Sequence, residues 1–133
     1  MNHAGFATGP VSPGSMVAIF GSDFGPQSFP SSVRLPATLG GTQVFFNATP
    51  APLFYVRPTQ VVSQVPIELY GQSHALVTPV YNGIAGVAQV VTLATFAAAI
   101  FTTDAGEPVI IDNNTGLLVS PSAPASVGDV LII

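Results

Sequence analysis

The stretch HALVTPVYNGIAGVAQVVTLAT, residues 74–95, decides the predicted fold because it joins two apolar runs through one tight turn. β-Branched and aromatic residues, which are typical of strands, are frequent in both runs. Asn82-Gly83 stands between the runs, and both residue types tolerate the positive φ angles that a type I′ turn requires. The sequence therefore predicts a β-hairpin with a two-residue loop.

Similar short apolar runs occur on both sides of this hairpin, separated by frequent Gly and Pro residues. No long window places apolar residues at helical spacing, so the runs are interpreted as strands. The predicted strands are Ser15–Gly21, Gln43–Asn47, Leu53–Arg57, Val61–Val65, His74–Tyr81, Gly86–Thr95, Val109–Asp112, Leu117–Ser120 and Asp129–Ile133. Short strands with closely spaced turns predict an all-β sandwich. Pro66 and Pro79 are expected at strand ends or edges, and Phe24 and Phe29 are expected to plug one end of the sandwich.

Charged residues are scarce in this chain of 133 residues. They make up 6% of it, against about 25% in a typical globular domain. Arg34 and Arg57 alone cannot form the basic patch that nucleic-acid binding needs. No apolar run reaches the length of about 18 residues that a membrane span needs. This composition is typical of a neutral secreted domain. Since charged side chains normally block pairing at strand edges, it also fits a subunit that packs against copies of itself.

Candidate catalytic and metal-binding residues do not form a convincing pattern. A serine hydrolase would need His3 or His74 as its base, but no G-x-S-x-G elbow is present. Asp112–Gly116, read DNNTG, resembles the start of a calcium loop with Asp104 and Glu107 nearby, yet the glutamate required at loop position twelve is missing. A hairpin turn is the preferred interpretation of that stretch. No catalytic, cofactor-binding or metal site is therefore predicted.

Two further patterns give alternatives. Tyr70 and Tyr81 stand next to turns and are candidates for stacking on sugar rings, although core-edge positions with a wet hydroxyl are the preferred interpretation. A carbohydrate-binding accessory module with a polysaccharide partner is therefore the alternative function. Asn47 and Asn113 each begin an N-x-Thr sequon, a glycosylation site where the host glycosylates secreted proteins.

Three longer stretches carry a family resemblance: SPGSMVAIFGSDFGP (12–26), TQVFFNATPAPLFYVRPTQVVSQVP (42–66) and HALVTPVYNGIAGVAQVVTLATF (74–96). They resemble an IPT/TIG domain, and they are most similar to an uncharacterised C-terminal domain family of Solibacter-type secreted proteins. The shared motifs read SPGS, LPATLGG, APLFYVRPTQ, SQVPIE, YNG and AIFT. The resemblance implies an immunoglobulin-like sandwich over residues 1–101, located outside the cell or at its surface. It supplies no catalytic or binding residues.

The resemblance also divides the chain, because the family continues after AIFT with a hairpin and a second opening strand. Residues 102–133 are thus expected to hold that hairpin and the first, unfinished strand of a second immunoglobulin-like half. PASVGDVLII (124–133) echoes PVSPGSMVAI (10–19), with serine, glycine and isoleucine in matching places.

The unfinished strand is the candidate assembly element, made of Asp129, Val130, Leu131, Ile132 and Ile133. Burying its four apolar side chains would contribute up to roughly 6–12 kcal/mol, so we expect the strand to be paired. It either folds back on its own sheet or completes a sheet in another molecule. The sequence thus predicts a non-catalytic structural module for surface architecture, adhesion or self-assembly, with a filament joined by strand addition as its most specific form.

Overall fold

Short β-strands make up the regular structure of the chain, whose computed structural model describes residues 1–2 and 8–133. The strands are β1 (Met16–Phe20), β2 (Thr42–Phe46), β3 (Thr49–Pro50), β4 (Leu53–Arg57), β5 (Gln60–Gln64), β6 (His74–Tyr81), β7 (Ile84–Ala85), β8 (Gln89–Thr92), β9 (Ile111–Asp112) and β10 (Leu131–Ile132). The helical structure within the described ranges is one 3-10 turn, Ile67–Leu69. No helix in this part of the chain is long and apolar enough to cross a membrane. The predicted all-β fold is confirmed.

Two units divide the chain, Met1–Ala98 and Ala99–Ile133. The division falls after Ala98, whereas the sequence placed it after Phe101. His3, a candidate base in the sequence, lies outside the described residues.

The first unit contains two antiparallel sheets. One has the strand order β1-β5-β4, and the other has the order β3-β2-β6, with β7 and β8 both paired to the far side of β6. Buried residues from both sheets form one apolar cluster, which includes Val17, Val44, Phe46, Leu53, Val61, Ala75 and Val77. Two sheets that share a core in this way form a β-sandwich.

A β-bulge lets β4 contribute to this core. Strict alternation would place Leu53 and Tyr55 on the same face. The pairing with β5 shifts register between these two residues, and consequently Leu53 and Val56 are the fully buried residues of the strand. One extra residue therefore re-aims the second half of β4.

The predicted Asn82-Gly83 hairpin is confirmed. Asn82 has φ 47° and Gly83 has φ 81°, and Tyr81 pairs with Ile84 directly across the loop. The region 86–95, predicted as a single strand, differs: β7 ends at Ala85 and β8 begins at Gln89.

The two prolines behave differently. Pro66 follows the end of β5 and precedes the 3-10 turn, as predicted. Pro79 lies inside β6 and not at its end. On the side away from β2, however, it falls at the gap between the residues paired with β7 and those paired with β8, which agrees with the predicted edge position. Its carbonyl accepts a hydrogen bond from the Gly86 N–H at 2.8 Å. Because proline has no N–H to return the bond, the ladder breaks at this point, between β7 and β8.

The second unit centres on β9, which pairs antiparallel with β10 on one side. On its other side Ile111 forms an isolated bridge with Leu118, so the predicted strand Leu117–Ser120 is reduced to isolated bridges. The loop between them is the hairpin turn preferred from the sequence: the Asn114 N–H donates to the Asp112 carboxylate at 2.8 Å, and Gly116 has φ 70°.

Gly83→Ala tests the turn that joins β6 to β7. A Cβ at Gly83 meets nothing within 4 Å, so the substitution costs only the strain of a positive φ, roughly 1–2 kcal/mol. We expect urea unfolding to show that loss. Gly9→Ala is the matched control, because its Cβ also meets nothing and no positive φ applies there. Equal stability of the two variants would contradict the turn assignment.

Two buried hydroxyls allow a second test. Ser63 lies on the core face of β5, and its Oγ has no hydrogen-bond partner within the described ranges. Thr42 is equally buried, but its hydroxyl donates to the Phe24 carbonyl. Ser63→Ala should raise the free energy of unfolding by roughly 1 kcal/mol, and Thr42→Val should lower it by roughly 1–3 kcal/mol. Chemical denaturation measures both, and a loss of stability in Ser63→Ala would show that its hydroxyl is bonded.

Candidate functional site

An apolar groove lies in the first unit between the end of β1 and the β6–β7 hairpin. Its volume is about 510 Å³, within the usual range of small-molecule and cofactor pockets. Side chains that line it include Phe20, Asp23, Phe24, Tyr81, Ile84 and Val87. We call this feature the edge groove.

The first wall of the edge groove is the bend that follows β1, GSDFG at residues 21–25. Phe24 folds back on the bend and is buried in the core cluster. Gly21 makes this possible, because a Cβ there would lie 2.6 Å from the Phe24 ring. Asp23 in this bend is exposed and has φ 60°. The bend is therefore shaped by glycines and by one buried aromatic ring.

The second wall comes from β6, the Asn82-Gly83 turn and β7. Tyr81 packs against the bend so closely that a Cβ at Gly25 would lie 2.7 Å from its ring. Ile84 and Val87 project from the hairpin with 76% and 80% of their surface exposed. Exposed residues of this size on a groove wall are typical of an interaction surface.

The side chains that line the edge groove are mostly apolar. Asp23 is the one carboxylate among the described residues that line it. In the described part of the chain, no group of three His, Cys, Asp or Glu side chains could hold a metal ion. An arrangement with one carboxylate and no adjacent base suits the binding of apolar side chains more than proton transfer.

The other sequence candidates lie elsewhere. His74 is exposed at the start of β6, with its Nδ1 2.9 Å from the hydroxyl of the adjacent Ser73. Asp104 and Glu107 are exposed in the second unit.

Burial lowers the pKa of the Met1 amino group, which donates to the Ala18 carbonyl at 3.4 Å.

Tyr70 and Tyr81 are not brought together. Tyr81 is the last residue of β6, whereas Tyr70 precedes the first residue of that strand. An eight-residue strand spans roughly 25 Å at about 3.3 Å per residue. The two rings also line different cavities, so they do not form one sugar-stacking surface.

The asparagines of both sequons are exposed. Asn47 has φ 56°, and its Oδ1 accepts from the Leu76 N–H at 2.9 Å while its Nδ2 donates to Gln72 at 3.0 Å. Its side chain therefore extends the β2–β6 ladder by one bond. Asn113 lies in the turn after β9.

The terminal strand is paired, as the sequence predicted, but it is not buried. Leu131 and Ile132 pair with β9. The side chains from Val130 to Ile133 nevertheless keep between 40% and 72% of their surface exposed. The expected burial is thus absent within the second unit, where these apolar side chains remain accessible.

The turn that leads into the terminal strand has the same backbone conformation as the turn that leads into β1. In Ser12–Ser15 the last N–H donates to the first carbonyl at 3.0 Å, and in Ser126–Asp129 the same bond measures 3.1 Å. The third residue of each turn is a glycine with positive φ, 83° at Gly14 and 101° at Gly128. The sequence similarity between residues 10–19 and 124–133 is therefore accompanied by the same turn conformation.

Sequence reasoning missed the edge groove. Its signal was the pattern of β1, which is apolar on both faces, and the run of apolar residues around Ile84 and Val87. Comparison with known proteins adds no further identification: no family model, curated protein or solved structure matches this chain significantly.

Phe24 and Phe29 offer a matched test of the groove wall. Phe24 is 7% exposed, whereas Phe29 is 56% exposed and makes a tilted contact with Tyr55 at a centroid distance of 6.1 Å. The prediction that both rings plug the sandwich is therefore wrong for Phe29. Phe24→Ala should cost roughly 3–5 kcal/mol of stability, and Phe29→Ala much less. Thermal and urea unfolding measure both variants, and similar losses would contradict this packing.

Proposed function

We propose that the chain is a non-catalytic structural module of the cell surface or extracellular space, which assembles by adding a β-strand to a sheet edge. Its partners are copies of itself or neighbouring domains of a longer protein. The observation that carries the proposal is the accessible terminal strand, whose four apolar side chains stay largely exposed. Burial of such side chains on association contributes about 25 cal/mol per Å², which favours a partner.

Low charge supports the same proposal. Natural proteins protect strand edges with lysine and other charged side chains. This chain has two arginines and no lysine, and Asp129 is the single charged side chain between Ser120 and Ile133. The terminal strand therefore lacks the charged residues that would oppose pairing with another chain.

The strand order supports the immunoglobulin-like form of the sandwich implied by the IPT/TIG resemblance. In immunoglobulin sandwiches, strands A, B, E and D form one sheet and strands C, F and G the other, with C′ added beside C in variable-type domains. Taking β1 as strand B gives B-E-D for β1-β5-β4 and C′-C-F-G for β3-β2-β6-β8. Asn2 bridges to Val17 on the outer edge of β1, where strand A would lie.

Deleting Asp129–Ile133 tests self-assembly directly. We expect the intact protein to form oligomers whose size grows with concentration, and the shortened protein to sediment as a monomer. Val127→Ser is the matched control, because Val127 is fully exposed but precedes β10. Analytical ultracentrifugation gives the masses, and circular dichroism verifies that the first unit stays folded. Identical mass distributions with and without the five residues would refute strand-mediated assembly.

A further inference from the structure

We infer that the edge groove of the first unit is the acceptor site for the terminal strand, Asp129–Ile133, of a second copy of this chain. The assignment rests on the self-assembly proposed above and adds the surface at which it occurs. Three observations support it. Backbone groups at the rim of the groove point away from their own sheets, the lining is apolar, and the terminal strand has both an exposed backbone edge and apolar side chains.

Two strand edges direct backbone groups towards the groove. Directly after β1, the Gly21 N–H donates to the Thr59 carbonyl at 3.1 Å. Hydrogen-bonding direction alternates along an antiparallel pair, so the N–H and C=O of Phe20 point away from β5. On the opposite wall, Gly86 bonds to Pro79, and by the same alternation the N–H and C=O of Ala85 point away from β6.

Met1 and Asn2 already bond to the outer edge of β1. The Ala18 N–H donates to the Met1 carbonyl at 2.9 Å, and Asn2 forms an antiparallel bridge with Val17. Phe20 lies two residues further along the same edge, inside the edge groove. A strand added at Phe20 would therefore continue a pairing that this edge makes elsewhere.

The terminal strand suits the groove in side-chain chemistry. Its residues alternate between two faces, with Val130 and Ile132 on one and Leu131 and Ile133 on the other. One face would meet the apolar lining while the backbone bonds to the rim, which is the general form of recognition by β-strand addition. Among the described lining residues, Asp23 is the one charged side chain, so the groove offers an ionic ligand a single partner of opposite charge at most.

Charge substitutions in the groove separate this inference from the proposed function. Ile84→Asp and Val87→Asp change exposed side chains and should leave the urea midpoint nearly unchanged, while the oligomers are lost. Ile67→Asp is the matched control, since Ile67 is 68% exposed in the 3-10 turn outside the groove. If deletion of Asp129–Ile133 abolishes the oligomers but both groove variants assemble normally, the groove assignment is overturned and self-assembly stands. If the deletion changes nothing, self-assembly itself fails.

Disulfide trapping gives a direct readout, because the chain contains no cysteine. Ile84→Cys protein is mixed with Leu131→Cys or Ile132→Cys protein under mild oxidation, and mixed disulfides are identified by mass spectrometry. Docking should accelerate cross-linking by about tenfold or more over the Val33→Cys control, owing to its effective concentration. Because neighbouring side chains face opposite ways, one of the two terminal variants should react much faster than the other. Equal rates at Ile84 and Val33 would overturn the assignment.

Discussion

The pairing of β6 with three other strands is the constraint on which the larger sheet depends. β6 pairs with β2 along one side and with β8 and β7 along the other. Ala75 and Val77 on its inner face belong to the core cluster shared with the first sheet. Because a one-residue slip would turn these residues outward, the register of β6 fixes both the core and the position of the hairpin that walls the edge groove.

Local patterns were enough to predict several strands and one turn, but not which strands lie side by side. β4 and β6 have the bounds expected from the sequence, and Asn82-Gly83 forms the predicted turn, because propensity and turn chemistry act over a few residues. The bulge in β4, the exposure of Phe29 and the break at Pro79 arise from which strand lies alongside. That information is long-range, and a single strand pattern does not contain it.

In the candidate site, too, the part formed by consecutive residues was predictable and the part formed by distant residues was not. The terminal strand was identifiable because four consecutive apolar residues follow a Gly-Asp turn. The edge groove was not, since its walls come from residues far apart in sequence, such as Phe20 and Ile84, that meet only after both sheets have formed. The separation of Tyr70 from Tyr81 likewise follows from the length of β6 and from nothing in their local sequence.

The break in the hydrogen-bond ladder at Pro79 has a consequence for aggregation of the protein. Long, continuous and uncharged sheet edges template the unlimited stacking found in amyloid. This chain has little charge with which to prevent such growth. At Pro79 the outer edge of the sheet is divided into a two-residue and a four-residue strand, β7 and β8. A short, interrupted edge leaves room for the single added strand proposed at the edge groove, but it offers too few consecutive backbone bonds for the continuous cross-β stacking of amyloid.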